Sequence, residues 1–321
     1  MRNARLANQP ARPCRPGLPP LPDGKWRLLD LLCSAMEPGK RTAVRIRPRA
    51  RRAAVSHRVG VFTAVDGTLL DANTFEPGAA RPMIRRLLAD GIPVIPVSVM
   101  TLDEIAPIAA ELGLRDAMVI EAGGAIARWT GGRWDVEPCG PPAETLLEVV
   151  RDIEDRSGAN LLVYSALPEP EAARVSGRSG EMLRGSRLRC FSEPFLIEYG
   201  DFESIERAAA ELGFSVRRGR RFLHLCRECD QGEAFTRLRD ELRCDTTIAL
   251  GGSMVDAEFL AHADVPIVVP GPDGVPDAEL LAKIPNARLA PAPAPVGWAA
   301  VIGDVLRNTA APSRRQPRAA S

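Results

Sequence analysis

The sequence predicts an α/β protein whose mostly parallel sheet is covered on both faces. Three observations carry this. Short apolar runs alternate with stretches of helical length and pattern over most of residues 58–269, which is the signature of βα units. Gly and Pro sit at many of the joints. From about Cys139 to Leu225 the alternation becomes irregular, which predicts an α+β segment inserted into the sheet domain.

Val59 to Thr63 is a buried strand, and Pro77 to Ala89 reads as a helix. Gly91-Ile92-Pro93 leads into the strand Val94 to Val97. Leu102 to Leu112 is the next helix, and Gly113 supplies its stop because glycine readily takes the left-handed conformation that ends helices. Ala117 to Glu121 is a strand, followed by Ala122-Gly123-Gly124 and a hairpin of Ala125 to Trp129 with Arg133 to Val136. The inserted segment carries helices at Glu144 to Asp155 and Ser204 to Leu212. Its short strands are Phe195 to Tyr199, Ser215 to Arg217 and Arg221 to Leu225. The core pattern then resumes with the helix Gly232 to Leu242, the strand Thr246 to Leu250, the helix Val255 to His262 and the strand Val265 to Val269. The expected organisation is a core of residues 58–136 and 227–308, a cap of 137–226, a basic N-terminal extension of 1–57 and a tail of 309–321.

Composition bounds the function. At 321 residues the chain has room for two domains or one domain with a large insertion, and 45% hydrophobic with 26% charged residues is ordinary for a soluble globular protein. A net charge of +1 gives no electrostatic reason to expect a nucleic-acid partner. No apolar run approaches the ~18 residues of a membrane helix, and no signal-peptide h-region is present. Seven cysteines without regular spacing do not make a disulfide framework. Cys226-Arg-Glu-Cys229 lacks the second ligand pair of a zinc site. These features predict a reduced, cytoplasmic protein. Lys40 to Arg58 holds eight Lys or Arg and no acid. It reads either as an arm for nucleic acid or a membrane surface, or as a disordered extension preceding a start near Met36. The lack of interleaved aromatics favours the extension.

The motif that carries chemistry is Val61-Phe62-Thr63-Ala64-Val65-Asp66-Gly67-Thr68-Leu69-Leu70-Asp71. It resembles the first motif of the haloacid dehalogenase (HAD) phosphatases, hhhhDxDGTLLD. The resemblance extends over roughly Val59 to Leu306 and is greatest to the mannosyl-3-phosphoglycerate phosphatases. It continues through Glu121-Ala122-Gly123-Gly124-Ala125-Ile126, Phe191-Ser192-Glu193-Pro194-Phe195, Arg221-Phe222, Asp230-Gln231-Gly232 and Gly251-Gly252-Ser253 with Asp256. It implies a HAD-type Rossmann-like core with an inserted α+β cap, Mg²⁺ as cofactor, and a small phosphorylated sugar or glycerate as ligand. Protein partners are left open.

Position by position, the resemblance implies a damaged centre. The nucleophile falls on Ala64, whose methyl group can neither attack phosphorus nor ligate a metal. The acid/base position is kept as Asp66, which is also a metal position, and Asp256 keeps another. The Lys position is Gln231, which replaces a charge-assisted hydrogen bond with a weaker neutral one. A metal-site acid falls on Gly252. A basic position is Met100, and two Asn positions are Ala122 and Val255. Thr68 and Ser98 keep hydroxyls for a phosphoryl group. Arg189 and Arg221 match basic cap positions, with Arg184, Arg187 and Arg220 close by in sequence, and guanidinium forks suit phosphate or carboxylate. Metal binding is expected to be weak or absent, because Mg²⁺ prefers near-octahedral oxygen ligation. Asp71 lies too far past the turn to substitute as nucleophile. His224 alternates with apolar residues and reads as structural, His57 and His262 carry no constellation, and Glu193 serves either a sugar hydroxyl or the turn before Pro194. Three functions stay open: an inactive homologue that still binds such a ligand, an active Mg²⁺-dependent phosphatase, and a relic or interaction protein.

Overall fold

The protein is described by a computed structural model covering residues 58–227 and 230–310. The N-terminal extension, His57, most of the tail and the side chains of Cys226 and Cys229 lie outside the described residues. The core sheet is parallel, with strands β1 (Val59–Thr63), β2 (Val94–Pro96), β10 (Thr246–Gly251), β11 (Val265–Val268) and β12 (Arg288–Leu289) in the order β12-β11-β10-β1-β2. The register follows the apolar alternation: Val61 of β1 pairs with Ile248 of β10 and with Val94 of β2.

Successive side chains of a strand point to opposite faces, and both faces here are covered. Val61, Val94, Ile248 and Leu250 pack under α1 (Ala80–Ala89), α2 (Leu102–Leu112) and α10 (Val296–Ala310), which contributes the fully buried Trp298. Phe62, Ile95 and Ala249 face α7 (Asp230–Glu241), α8 (Ala257–Ala261) and α9 (Ala278–Lys283) through Phe235, Phe259 and Leu280. Burying each such large side chain contributes about 1.5–3 kcal/mol. Burial on two sides explains why these strands are near-continuous apolar runs.

Several predicted boundaries shift for local reasons. α1 starts at Ala80 rather than Pro77, because Pro77 and Gly78 form a turn whose carbonyls receive the first helical N–H groups. α2 has the predicted bounds. Thr101 and Glu104 form a reciprocal capping box at its start, and Gly113 closes it at φ 77°. The segment expected as a helix from Val255 to His262 divides into a one-turn 3₁₀ segment, Met254–Asp256, and α8. β3 (Ala117–Ile120) joins β4 (Ala125–Thr130) and β5 (Arg133–Pro138) in an antiparallel sheet, touching the parallel sheet through one bridge, Val97 to Val119.

Between β5 and α7 lies the cap. Its antiparallel sheet runs β6 (Asn160–Val163), β7 (Pro194–Tyr199), β9 (Leu223–Arg227), β8 (Phe214–Arg218), backed by α3 (Ala143–Ser157) and α6 (Phe202–Glu211). β6 and the helices α4 (Glu169–Ser176) and α5 (Gly180–Ser186) have no counterpart in the sequence reading. They are too short to show a period. No described helix is long and apolar enough to cross a membrane.

Candidate functional site

A cleft opens at the C-terminal ends of β1, β2 and β10, where open α/β sheets place their ligands. From the core it is lined by Ala64, Asp66, Ser98, Ser253, Val255 and Asp256. From the cap side come Arg178, between α4 and α5, the β8–β9 turn at Gly219 to Phe222, and His224.

Ala64 is buried at the end of β1, its N–H donating to Leu250 O at 2.7 Å. Asp66 follows in the turn. Its Oδ2 lies 3.5 Å from Arg178 Nη2 and 3.7 Å from Arg221 Nε. At those distances charge is balanced without a strong hydrogen bond. Asp66 Oδ1, Thr68 Oγ1 and both amide atoms of Gln231 are buried with no hydrogen-bond partner among the described residues. Buried polar groups are normally paired, because leaving one unpaired costs about 1–3 kcal/mol. These orphans fall on positions singled out by the motifs. Gln231 sits at the start of α7 and Thr68 is fully buried, and neither lines the cleft itself.

Ser98 lines the cleft, and its Oγ accepts the N–H of Met100 at 3.1 Å, while Met100 is buried in the core. Asp256 is held under Gly252 and Ser253, whose N–H groups donate to its Oδ2 at 2.8 and 3.0 Å. Burial pushes its carboxyl above the ordinary range, partly opposed by those two N–H groups and by the charge of Arg220. Ala122 and Val255, where the resembled motifs have Asn, pack on each other with Val99. Two polar positions have thus become one apolar contact.

The arginines divide sharply. Arg189 was expected at a substrate, yet it is turned into protein: it donates to Val99 O at 2.6 Å, Ser186 O at 3.2 Å and Ser192 Oγ at 2.8 and 3.0 Å. It does not line the cleft. Arg184 is exposed beside Glu181, and Arg187 donates to Ser165 O. Arg221 and Arg178 do reach the cleft, both over the ring of Phe75 at 5.5 and 5.2 Å. That cation–π contact fixes their planes. Arg178 is buried and donates to Glu104 Oε1 at 2.6 Å. Burial alone would lower its basicity, but Glu104 and Asp66 outweigh it and hold the guanidinium above its usual value.

Arg220 is half-buried over the ends of β1 and β10. A Cβ on Gly252 would overlap its Nη2, and a Cβ on Gly67 would come within 2.6 Å of its Nε. The sequence reading missed Arg178 altogether and gave Arg220 only proximity. The available signal was Gly252, a missing side chain that leaves room for another group.

Of the remaining expectations, Asp71 spends its Oδ1 on the N–H groups of Asn73 and Thr74 in its own turn. Glu193 accepts the N–H of Ser165 at 3.0 Å inside the cap. His224 is buried on the cleft wall, and burial, followed by the charges of Arg189 and Arg178, pushes it down to about 3. It is therefore neutral near pH 7.

The donor set does not suit Mg²⁺. The position where the resembled motif has an acid is Gly252, and Arg220 sits against it. Among the described residues no group of three His, Cys, Asp or Glu is placed to hold a metal ion. Mg²⁺ needs several hard oxygens in near-octahedral array, and guanidinium groups supply none.

No protein-family model matches the chain. A glucosyl-3-phosphoglycerate/mannosyl-3-phosphoglycerate phosphatase of Methanococcoides burtonii is 27% identical over 266 residues, covering 77% of this chain and 96% of that protein. One from Persephonella marina is 26% identical over 228 residues, covering 65% and 84%. A HAD-superfamily phosphatase of Bacteroides thetaiotaomicron superposes with TM-score 0.59 at 15% identity, over 82% of this chain and 98% of that one. A HAD subclass IIB sugar phosphatase gives 0.56 at 12% identity, over 77% and 98%. The chain thus has the HAD fold, an α/β Rossmann-like core with a cap, and is mannosyl-3-phosphoglycerate phosphatase-like.

Proposed function

We propose that this phosphatase-like chain binds a small phosphorylated sugar or glycerate and does not hydrolyse it. The observation that carries the reading is the end of β1: the side chain at the nucleophile position is a methyl group, and the adjacent Asp66 faces two guanidinium groups. Removing a covalent nucleophile commonly costs several orders of magnitude in rate. Asp66 is not a substitute, because its charge is already balanced by Arg178 and Arg221. Binding is favoured by the balance of charge on the wall, three arginines against two carboxylates, with a neutral His224. Planar forks of this kind recognise phosphate and carboxylate oxygens.

The relatives' names indicate which compounds to try. Phosphate release from mannosyl-3-phosphoglycerate and glucosyl-3-phosphoglycerate is measured with Mg²⁺ present, beside binding of the same compounds by calorimetry. The expected outcome is binding without release. Turnover that depends on an intact Asp66 would establish an active phosphatase instead. Neither binding nor release would support the relic reading.

A further inference from the structure

We propose that Arg220 is a resident cation in the place where the resembled phosphatases use a divalent metal, so that the cleft takes up a phosphoryl dianion without metal. The proposal rests on the reading of the cleft as an anion site and names what holds the anion there.

Two glycines, Gly67 and Gly252, build the seat for this side chain, and Gly271 lies beside it. Gly67 follows β1, Gly252 follows β10 and Gly271 follows β11, so the guanidinium lies across the ends of adjacent parallel strands. Cβ atoms at these positions would overlap Arg220 Nη2 from Gly252, lie 2.6 Å from its Nε from Gly67, and approach Nη1 to 3.6 Å from Gly271. Gly67 also needs glycine for its backbone, at φ 65°. Any side chain at position 252 displaces the guanidinium, whereas glycine admits it. The missing carboxylate and the arginine are therefore two halves of one exchange: an anionic metal ligand is lost and a fixed positive charge enters.

The exchange leaves donors to spare. Arg220 Nη2 donates to Val269 O at 3.3 Å, and its Nε and Nη1 make no hydrogen bond among the described residues. Arg221 Nε is likewise without a hydrogen-bond partner, although it sits near Asp66. The bound metal in a phosphatase neutralises charge between the protein's carboxylates and the incoming phosphate. Arg220, flanked by Arg178 and Arg221, provides that neutralisation from the protein itself. It also repels a second cation, since like charges a few ångströms apart in a partly buried cleft interact strongly.

The test is a calorimetric titration of the full chain with inorganic phosphate, once in EDTA and once in millimolar Mg²⁺, with Mg²⁺ alone as a third titrant. The expected result is the same phosphate affinity in both buffers and no binding of Mg²⁺ alone. Arg220→Gln is expected to weaken phosphate at least tenfold, with Arg220→Lys falling between it and the parent because it keeps charge but loses the fork. Melting temperatures identify any variant that fails to fold. Phosphate binding that requires Mg²⁺, full affinity in folded Arg220→Gln, or no phosphate binding at all each overturns the proposal. Failure here is distinct from failure of the non-hydrolytic reading: substrate turnover sinks that reading without making phosphate binding depend on Mg²⁺.

Discussion

Arg189 and Arg220 both reach from the inserted segment toward the core, and they end in opposite chemical states. Arg189 is enclosed and donates to two backbone carbonyls and to the hydroxyl of Ser192, with Glu121 and Glu104 each 3.9 Å away. Arg220 lies against two glycines with one carbonyl partner and donors left over. A saturated guanidinium is a strut, while an under-used one beside a cleft is a recognition group. The same residue type is thus saturated in one place and left with spare donors in the other.

That contrast is open to breakage by stability measurements. Replacing Arg189 with Met removes the counter-charge from buried carboxylates and is expected to cost about 3–5 kcal/mol in denaturant unfolding, whereas Arg220→Gln stays within about 0.5 kcal/mol of the parent. Equal effects at the two positions would erase the distinction between strut and recognition group.

A second test concerns the repacked wall. Val255→Asn places an amide in the apolar contact with Ala122 and Val99 and is expected to destabilise by about 1–3 kcal/mol. Adding Ala122→Asn gives the new amide a neighbour, and position 122, at φ 58° and ψ 32°, is a conformation that Asn tolerates better than Ala. The pair is expected to be less destabilising than the sum of the singles, by about 0.5 kcal/mol or more. Strict additivity would mean the two positions are independent losses.

The smallest effect near neutrality is a pH dependence. His224 titrates at about 3 in the fold and near 6.5 when exposed. Between those values the unfolded chain binds a proton that the folded chain refuses. Its contribution is therefore complete above about pH 6.5 and is lost as pH falls toward 3, at up to ~1.4 kcal/mol per pH unit. His224→Gln should flatten the stability profile in that window, and an unchanged slope would show that other groups dominate it.

Much of this was legible from the chain alone, for physical reasons. The core strands announce themselves because burial on both faces favours near-continuous apolar runs, as in Val59 to Phe62 and Ile248 to Leu250. The motif positions around Ala64, Asp66 and Asp256 are local, so the turn that carries each residue also places it. The arginines were different. Arg178 and Arg220 reach the cleft only through the folding of the cap against the core, and no local period marks them. Arg189 has the same sequence credentials as Arg221, and only the position of Ser192 and of the Val99 carbonyl separates strut from cleft wall. The helices α4 and α5 went unread for a related reason, because segments of eight and seven residues are held by tertiary packing rather than by their own pattern.

The exchange of a metal for an arginine is tested most directly by Mg²⁺ affinity in a pair of reverted chains. One carries Ala64→Asp alone, so that Gly252 still admits Arg220, and the other carries Arg220→Ala in addition. If Arg220 holds the metal's place, Mg²⁺ should bind at least tenfold more tightly to the chain without it. Equal affinity in the two chains would contradict the account.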